Sequence, residues 1–260
     1  PYGRKIGPDP ASINSAKIGG IAANNASGMC CGTAQNSYRT LAGMRIIFAD
    51  GKVLDTGSQE SRTAFLTSHT PMVERISALA ARVHAHGALA ERIRHKFKMK
   101  NTTGYSLNAL VDFTDPIDII QHLMIGSEGT LGFIAEVTYH TVPEHPHKAS
   151  ALMIFPDIAT ACEAVTVLKE TTVDAVELMD RASLRSVENK AGMPPYLKTL
   201  DEQCAALLVE TRAPQAGSLA SQIDSITRAL DHLPKTLPVT FTSVPAEFNQ
   251  LWNIRKGLFP

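Results

Sequence analysis

The chain has 260 residues, room for one large domain or two of ordinary size, and its 44% hydrophobic and 19% charged composition is that of a folded globular protein. Lys plus Arg balances Asp plus Glu at 25 each, so the overall field favours neither nucleic acid nor an anionic membrane surface. No apolar run approaches the roughly 20 residues of a membrane-spanning helix, and the four cysteines form no Cys-x-x-Cys pair that would suit zinc or an iron–sulfur cluster.

The opening stretch, PYGRKIGPDP, has three prolines in ten residues, no Met and no signal-peptide core. With the abrupt close of a helical pattern in LWNIRKGLFP, it leads to the expectation that the chain is an internal segment of a longer polypeptide. Residues 18–28, IGGIAANNASG, carry almost only small side chains, so backbone N–H groups there could approach an anionic or planar ligand, with Asn24, Asn25 and Ser27 adding side-chain hydrogen bonds. Adjacent Cys30 and Cys31 are poorly placed to bridge each other, which favours free thiols and a reducing compartment. MRIIFADGKVLD at 44–55 predicts a hairpin turning at Asp50-Gly51. Apolar residues at helical spacing predict a helix over 71–95, interrupted or bent at Gly87. TDPIDIIQHLM predicts a capped helix with Pro116 in its first turn, and FIAEVTY at 133–139 a strand.

The proline- and histidine-rich stretch 140–148 reads as a linker. Beyond it, strand-like ALMIF, VDAVELM, CAALLVET and PVTFTSV alternate with helical DIATACEAVTVLKE, DRASLRSVENK, SLASQIDSITRALDHL and AEFNQLWNIRKGL, predicting helices over one sheet.

Residues 125–134, IGSEGTLGFI, place Gly126, Gly129 and Gly132 around Glu128. The stretch is neither G-x-G-x-x-G nor a P-loop ending in Gly-Lys-Ser/Thr, so taken alone it reads as a tight turn between a short helix and a strand. The basic run ERIRHKFKMK at 91–100 lacks the aromatic interleaving of a nucleic-acid surface and reads as a solvated helix end. His140, Glu144, His145 and His147 lie on a proline-broken segment without fixed geometry, which predicts no metal site. No Ser-His-Asp arrangement stands out.

Taken in order, IGGIAANNASG, RIIFADGKVLDTG, KNTTGYSLNAL and IGSEGTLGFIAEVTYHTVP resemble the FAD-linked oxidases, the flavoprotein superfamily of vanillyl-alcohol oxidase and p-cresol methylhydroxylase. DAVELMDRASL and LWNIRKGLFP are similar to the cap domain of their D-2-hydroxyacid dehydrogenases, acting on D-lactate, glycolate or D-2-hydroxyglutarate. The resemblance implies an α+β fold: the second half of an FAD-binding PCMH-type domain over 1–146, then a truncated ferredoxin-like cap over 147–260. It implies FAD contacts at Gly19, Gly20, Asn25, Ser27, Gly28, Gly126, Glu128, Gly129 and Ile134. It also implies a carboxylate-binding Arg255 in a Trp-x-x-Arg context, and Lys100 and Tyr105 facing flavin or substrate.

The pyrophosphate loop and the catalytic and metal-binding histidines of such enzymes are expected outside this segment. So is any iron–sulfur cluster or divalent metal, and the segment alone is expected to be inactive. The implied partner is a small 2-hydroxyacid, with no nucleic acid, no membrane span and an unassigned electron acceptor. The implied location is the cytoplasm, with peripheral attachment to the inner membrane open for the full-length protein. Two rivals stay open: a sugar, aldonolactone or peptidoglycan-precursor enzyme of the same superfamily, which VELMDR disfavours, and a non-catalytic domain that retains the fold.

Overall fold

The computed structural model describes residues 2–10, 12–28 and 31–258. They form two compact units that divide between Pro143 and Glu144, Tyr2 and Gly3 grouping with the second unit.

The first unit contains β1 (Arg4–Lys5), α1 (Ile18–Asn24), α2 (Ser37–Thr40), β2 (Leu41–Ile47), β3 (Val53–Asp55), α3 (Gln59–Ser68), α4 (Thr70–Ala85), α5 (Gly87–Lys96), α6 (Ala109–Asp112), α7 (Pro116–Met124), β4 (Phe133–Tyr139) and β5 (Val142–Pro143). β2 lies between β3 and β4, antiparallel to both, and β1 pairs with β5. The β2–β3 turn falls at Asp50-Gly51 as expected: Gly51 takes φ +81°, and the Asp50 carboxylate accepts from the Lys52 N–H at 2.9 Å. The long helical pattern is two helices. His86 ends α4 and, through Nδ1, accepts from the Leu89 N–H at 3.1 Å to cap α5.

α7 begins where Asp115 caps the N–H groups of Ile117 and Asp118 at 2.7 and 3.4 Å, with Pro116 needing no acceptor. Its apolar face packs onto the sheet, so Ile46, Leu54, Phe65, Ile117, Ile119 and Ile125 are all fully enclosed. The sequence reading missed α3. Phe65 is its sole buried side chain, too few to write a helical period, and the helix is set instead by Ser58 accepting from the Ser61 N–H at 3.3 Å.

The second unit contains β6 (His147–Phe155), α8 (Ile158–Leu168), β7 (Ala175–Asp180), α9 (Arg181–Val187), a 3-10 turn (Pro195–Thr199), β8 (Ala205–Ala213), α10 (Ala216–Ala229) and α11 (Pro245–Lys256). β8 lies between β6 and β7, antiparallel to both. This is the split β-α-β arrangement of a ferredoxin-like sheet. One face carries Met153, Phe155, Leu207 and Val209 against α8 and α10. PVTFTSV is not the fourth strand that was expected. It runs beside β6 through one antiparallel bridge, Ser150 with Thr242, and Thr236 N–H donates to Ile154 O at 2.8 Å. Pro238 and Pro245 bracket it without N–H groups to extend a ladder.

The opposite sheet face meets α11 around Glu210, a carboxylate that is 1% exposed. Its Oε2 accepts from Trp252 Nε1 at 2.7 Å and from Ser150 Oγ at 3.3 Å, and its Oε1 from Arg212 Nε at 2.5 Å. A buried carboxylate must be satisfied by donors of this kind. Trp252→Phe keeps the aromatic packing but withdraws one donor, so urea denaturation should show a loss of about 1–3 kcal/mol.

His122 stacks on Phe113 with ring centroids 4.0 Å apart, and its Nδ1 meets Asp118 O at 2.7 Å. A carbonyl only accepts, so Nδ1 carries the proton. Burial holds the ring below the ordinary imidazole pKa, against smaller opposing effects from Asp118. The unfolded chain therefore takes up a proton first as pH falls below about 6.5, and the folded state loses stability from there downward. His122→Phe should flatten the change in urea midpoint between pH 7.5 and 5.5 that the parent protein shows.

Candidate functional site

The two glycine-rich segments meet each other. The Gly126 N–H donates to Ala22 O at 3.2 Å and the Glu128 N–H to Ala23 O at 2.9 Å, so the turn after α7 caps the last carbonyls of α1. Reaching them requires left-handed backbone at Gly126 (φ +85°), Gly129 (φ +76°) and, at some strain, Glu128 (φ +53°). Asn24 Nδ2 donates to Glu128 Oε1 at 2.6 Å and fastens the same contact through side chains. The KNTTGY segment joins the pair. Tyr105 OH and Thr130 Oγ1 are 2.8 Å apart, Ser106 Oγ donates to Ile125 O at 2.6 Å, and Asn25 Nδ2 to Asn101 O at 3.3 Å.

Beside this junction opens a cavity of about 540 Å³, lined by Lys17, Gly19, Gly20, Glu128, Gly129 and Ile134 among others. Of the expected cofactor contacts, five therefore share one cavity. The other four do not line it. Asn25 lines a separate small pocket, and Ser27 is buried. Gly126 and Gly28 are closed in by protein: a β-carbon at Gly126 would sit 3.4 Å from Gly104 O, and one at Gly28 only 2.3 Å from Asp9 O. IGGIAANNASG is also not a run of free amides. Residues 18–24 are helical, and the Ile21 N–H is already bonded to Lys17 O, so only the amides of Ile18, Gly19 and Gly20 lack an acceptor within the helix.

Lys100 is exposed and lies near enough to Cys31 to oppose, weakly, the upward push of burial on that thiol. Cys30 lies outside the described residues. Among the described cysteines, Cys31, Cys162 and Cys204 are free. Arg255, in the second unit, is half-buried and donates from Nε to Glu177 Oε2 at 2.7 Å. Two lining residues, Lys17 and Phe133, were not anticipated, although a cation two residues before a glycine pair was a readable signal.

Residues 144–260 match the model of the FAD linked oxidases, C-terminal domain, and residues 1–57 that of an FAD binding domain. Over these two segments the chain carries domains of the FAD-linked oxidase type. Its curated relatives include the D-2-hydroxyglutarate dehydrogenase of Pantoea ananatis (strain AJ13355), 25% identical over 90% of this chain and 23% of that protein. They also include the mitochondrial D-lactate dehydrogenase [cytochrome] of Arabidopsis thaliana, 28% identical over 53% of this chain and 23% of its own. A third is the glycolate oxidase subunit GlcD of Bacillus subtilis (strain 168), 24% identical over 80% and 33%. The chain thus spans 23–33% of the length of these relatives. Two solved chains of alkyldihydroxyacetonephosphate synthase, 15% and 16% identical, cover 88% and 98% of it and 34% and 38% of their own length, with TM-scores of 0.52 and 0.56. At that identity they establish the fold.

FAD is the cofactor of the family, and the cavity fits it. A β-carbon at Gly20 or Gly129 would meet no atom within 4 Å, so both glycines leave open room where a ligand could lie against bare backbone. The unbonded amides at the start of α1 and the Lys17 ammonium suit an anionic edge, and exposed Phe133 with Ile134 suits a planar apolar one. Gly20 and Gly28 should respond in opposite senses to alanine. Gly20→Ala, in an exposed helical position, should raise the thermal stability of the apoprotein by about 0.5–1 kcal/mol while lowering flavin retention. Gly28→Ala, driven into Asp9, should cost about 1–3 kcal/mol in the apoprotein.

Proposed function

We propose that the chain is part of an FAD-dependent dehydrogenase that oxidises a D-2-hydroxyacid to the 2-oxoacid. The observation that carries this reading is chemical agreement among its relatives: D-2-hydroxyglutarate, D-lactate and glycolate are all 2-hydroxycarboxylates. Bound FAD supplies the hydride acceptor for the hydrogen leaving the substrate's α-carbon. In this proposal Gly19, Gly20 and Gly129 give the cofactor close access to backbone, and Lys17 balances its negative charge. Glu128 and Asn24 keep the turn seated on α1 while the cofactor is in place. Lys100 and Tyr105 stand as further candidate contacts, Tyr105 being held through its hydroxyl by Thr130.

Arg255 is the proposed anchor for the substrate carboxylate. Trp252 and Ile254 bury the apolar side of α11, and Glu177 fixes the guanidinium plane through Nε. A planar fork so oriented matches a carboxylate in a way that an ammonium does not. The test is steady-state kinetics on the intact gene product with D-lactate, glycolate and D-2-hydroxyglutarate. Arg255→Lys should leave flavin content and melting temperature unchanged, raise KM about tenfold or more for the preferred acid, and lower kcat. Wild-type kinetics in that variant would remove Arg255 from the site. A flavin-loaded wild type that turns over none of the three acids would defeat the reading as a whole.

A further inference from the structure

The neutral balance of the whole chain hides a local asymmetry. Residues 70–100, which hold α4 and α5, carry seven Lys and Arg against two acids, Glu74 and Glu91, and the rest of the chain offsets that excess. Both helices bury one side only. Ala90 and Ile93 are the buried side chains of α5, and Ala80 and Val83 those of α4, with Val73, Ile76 and Phe97 lying partly buried on the same core. Those residues complete the apolar stripe that a surface helix needs.

What stays outside is not purely polar. Leu89, Arg92 and Lys96 follow one another at steps of three and four residues, which sets them along one side of α5, and Met99 stands in the turn beyond. All four are exposed, Leu89 at 40% and Met99 at 58%. α4, which packs against α5, repeats the alternation in Met72, Arg75, Leu79 and Arg82, again all exposed. Single exposed apolar residues need no explanation, but a repeated apolar and cationic alternation on the outer side of two adjoining helices does.

The fold accounts for part of the charge. Arg94 pairs with Glu91, and Arg94, His95 and Lys96 complement the C-terminal dipole of α5. That reason does not reach Arg75 or Arg92, which lie before the last turns of their helices, nor the exposed Leu and Met residues. Among the described residues none of Arg75, Arg82, Arg92 and Lys96 has a carboxylate partner. A nucleic acid would use the cations but gives aliphatic side chains little to bury in, and the outer stripes hold no aromatic residue for bases to stack on. An anionic bilayer uses both kinds of residue. Its headgroups attract the cations, and the acyl boundary just beneath takes up Leu and Met while the Arg and Lys stems lie along it.

We propose that the outer side of α5, with that of α4, docks the protein on an anionic phospholipid bilayer, Arg92 and Lys96 at the headgroup phosphates and Leu89 and Met99 at the acyl boundary. The attachment is peripheral, since no helix among the described residues is long and apolar enough to cross a membrane. The surface is separate from the flavin cavity and does not depend on the redox reaction.

Flotation of the intact gene product with vesicles of phosphatidylcholine alone, and of phosphatidylcholine mixed equally with phosphatidylglycerol, tests the assignment. The protein should float with the mixed vesicles and not with the neutral ones, and added salt should release it. Arg92→Gln combined with Lys96→Gln should weaken partitioning about fivefold for each charge removed. Leu89→Ser combined with Met99→Ser should weaken it about tenfold at unchanged charge. All four side chains are exposed, so neither pair should lower the melting temperature. No flotation with the mixed vesicles, equal flotation with the neutral ones, or parental binding in the glutamine pair would each overturn the proposal. Full retention in the serine pair would overturn it too, because it marks adsorption to any polyanion. Turnover of D-lactate without vesicles should be the same in both pairs as in the parent. A protein that oxidises D-lactate but does not float refutes the docking alone, and the reverse result refutes only the flavin reading.

Discussion

The first unit depends on two backbone hydrogen bonds, from the amides of Gly126 and Glu128 to the carbonyls of Ala22 and Ala23. A seven-residue helix is too short to be stable by itself, and its final carbonyls need donors. The N–H groups of Asn25 and Ala26 reach Ala22 O and Ile21 O, and the turn between α7 and β4 adds a second donor to Ala22 O and supplies one to Ala23 O. Because β4 is also an outer strand of the sheet and α7 lies on that sheet, α1 is tied to the core through the turn. The glycines are there first for this contact. Gly126 provides the left-handed backbone that aims the amides, and Glu128 accepts a strained conformation and is held in it by Asn24.

The same contact creates the cavity. Seating the turn on the end of α1 leaves Gly19, Gly20 and Gly129 along one wall, where Gly129 is needed for its left-handed backbone but a β-carbon at Gly20 would meet nothing. Gly28, by contrast, is explained entirely by the approach of Asp9. Two glycines in one short segment therefore differ: Gly28 is closed in by the fold and Gly20 stands open. Asn25, at the C-cap of α1, lines a separate small pocket, so one short helix borders two recesses.

The second unit rests on a comparable constraint. A carboxylate placed at the centre of a sheet is tolerable only if donors reach it, and Trp252 does so from α11 while Ser150 does so from the neighbouring strand. That requirement holds α11 to the sheet at one position along its length. One helical turn later the same face presents Arg255 to Glu177 of the neighbouring strand. The polar interior of this unit therefore positions the residue proposed to meet substrate.

Local patterns were legible wherever one residue acted on its own neighbours. The Asp50-Gly51 turn, the Asp115-Pro116 helix start, the break at His86-Gly87 and the alternation of β6, β7 and β8 all follow from short-range sterics and periodicity. PVTFTSV misled because its β-branched residues suit a strand, while the bracketing prolines limit its pairing. α3 escaped because a helix with one buried side chain carries no period. The resemblance to FAD-linked oxidases was legible from four motifs in order, and five of the residues named in the glycine segments line one cavity. What the sequence determined by itself was thus most of the elements and the chemistry available at each. Which glycines are closed by protein and which stand open, and that Arg255 meets Glu177, were decided only in three dimensions. Each depends on groups dozens of residues apart, and no local period records such a distance.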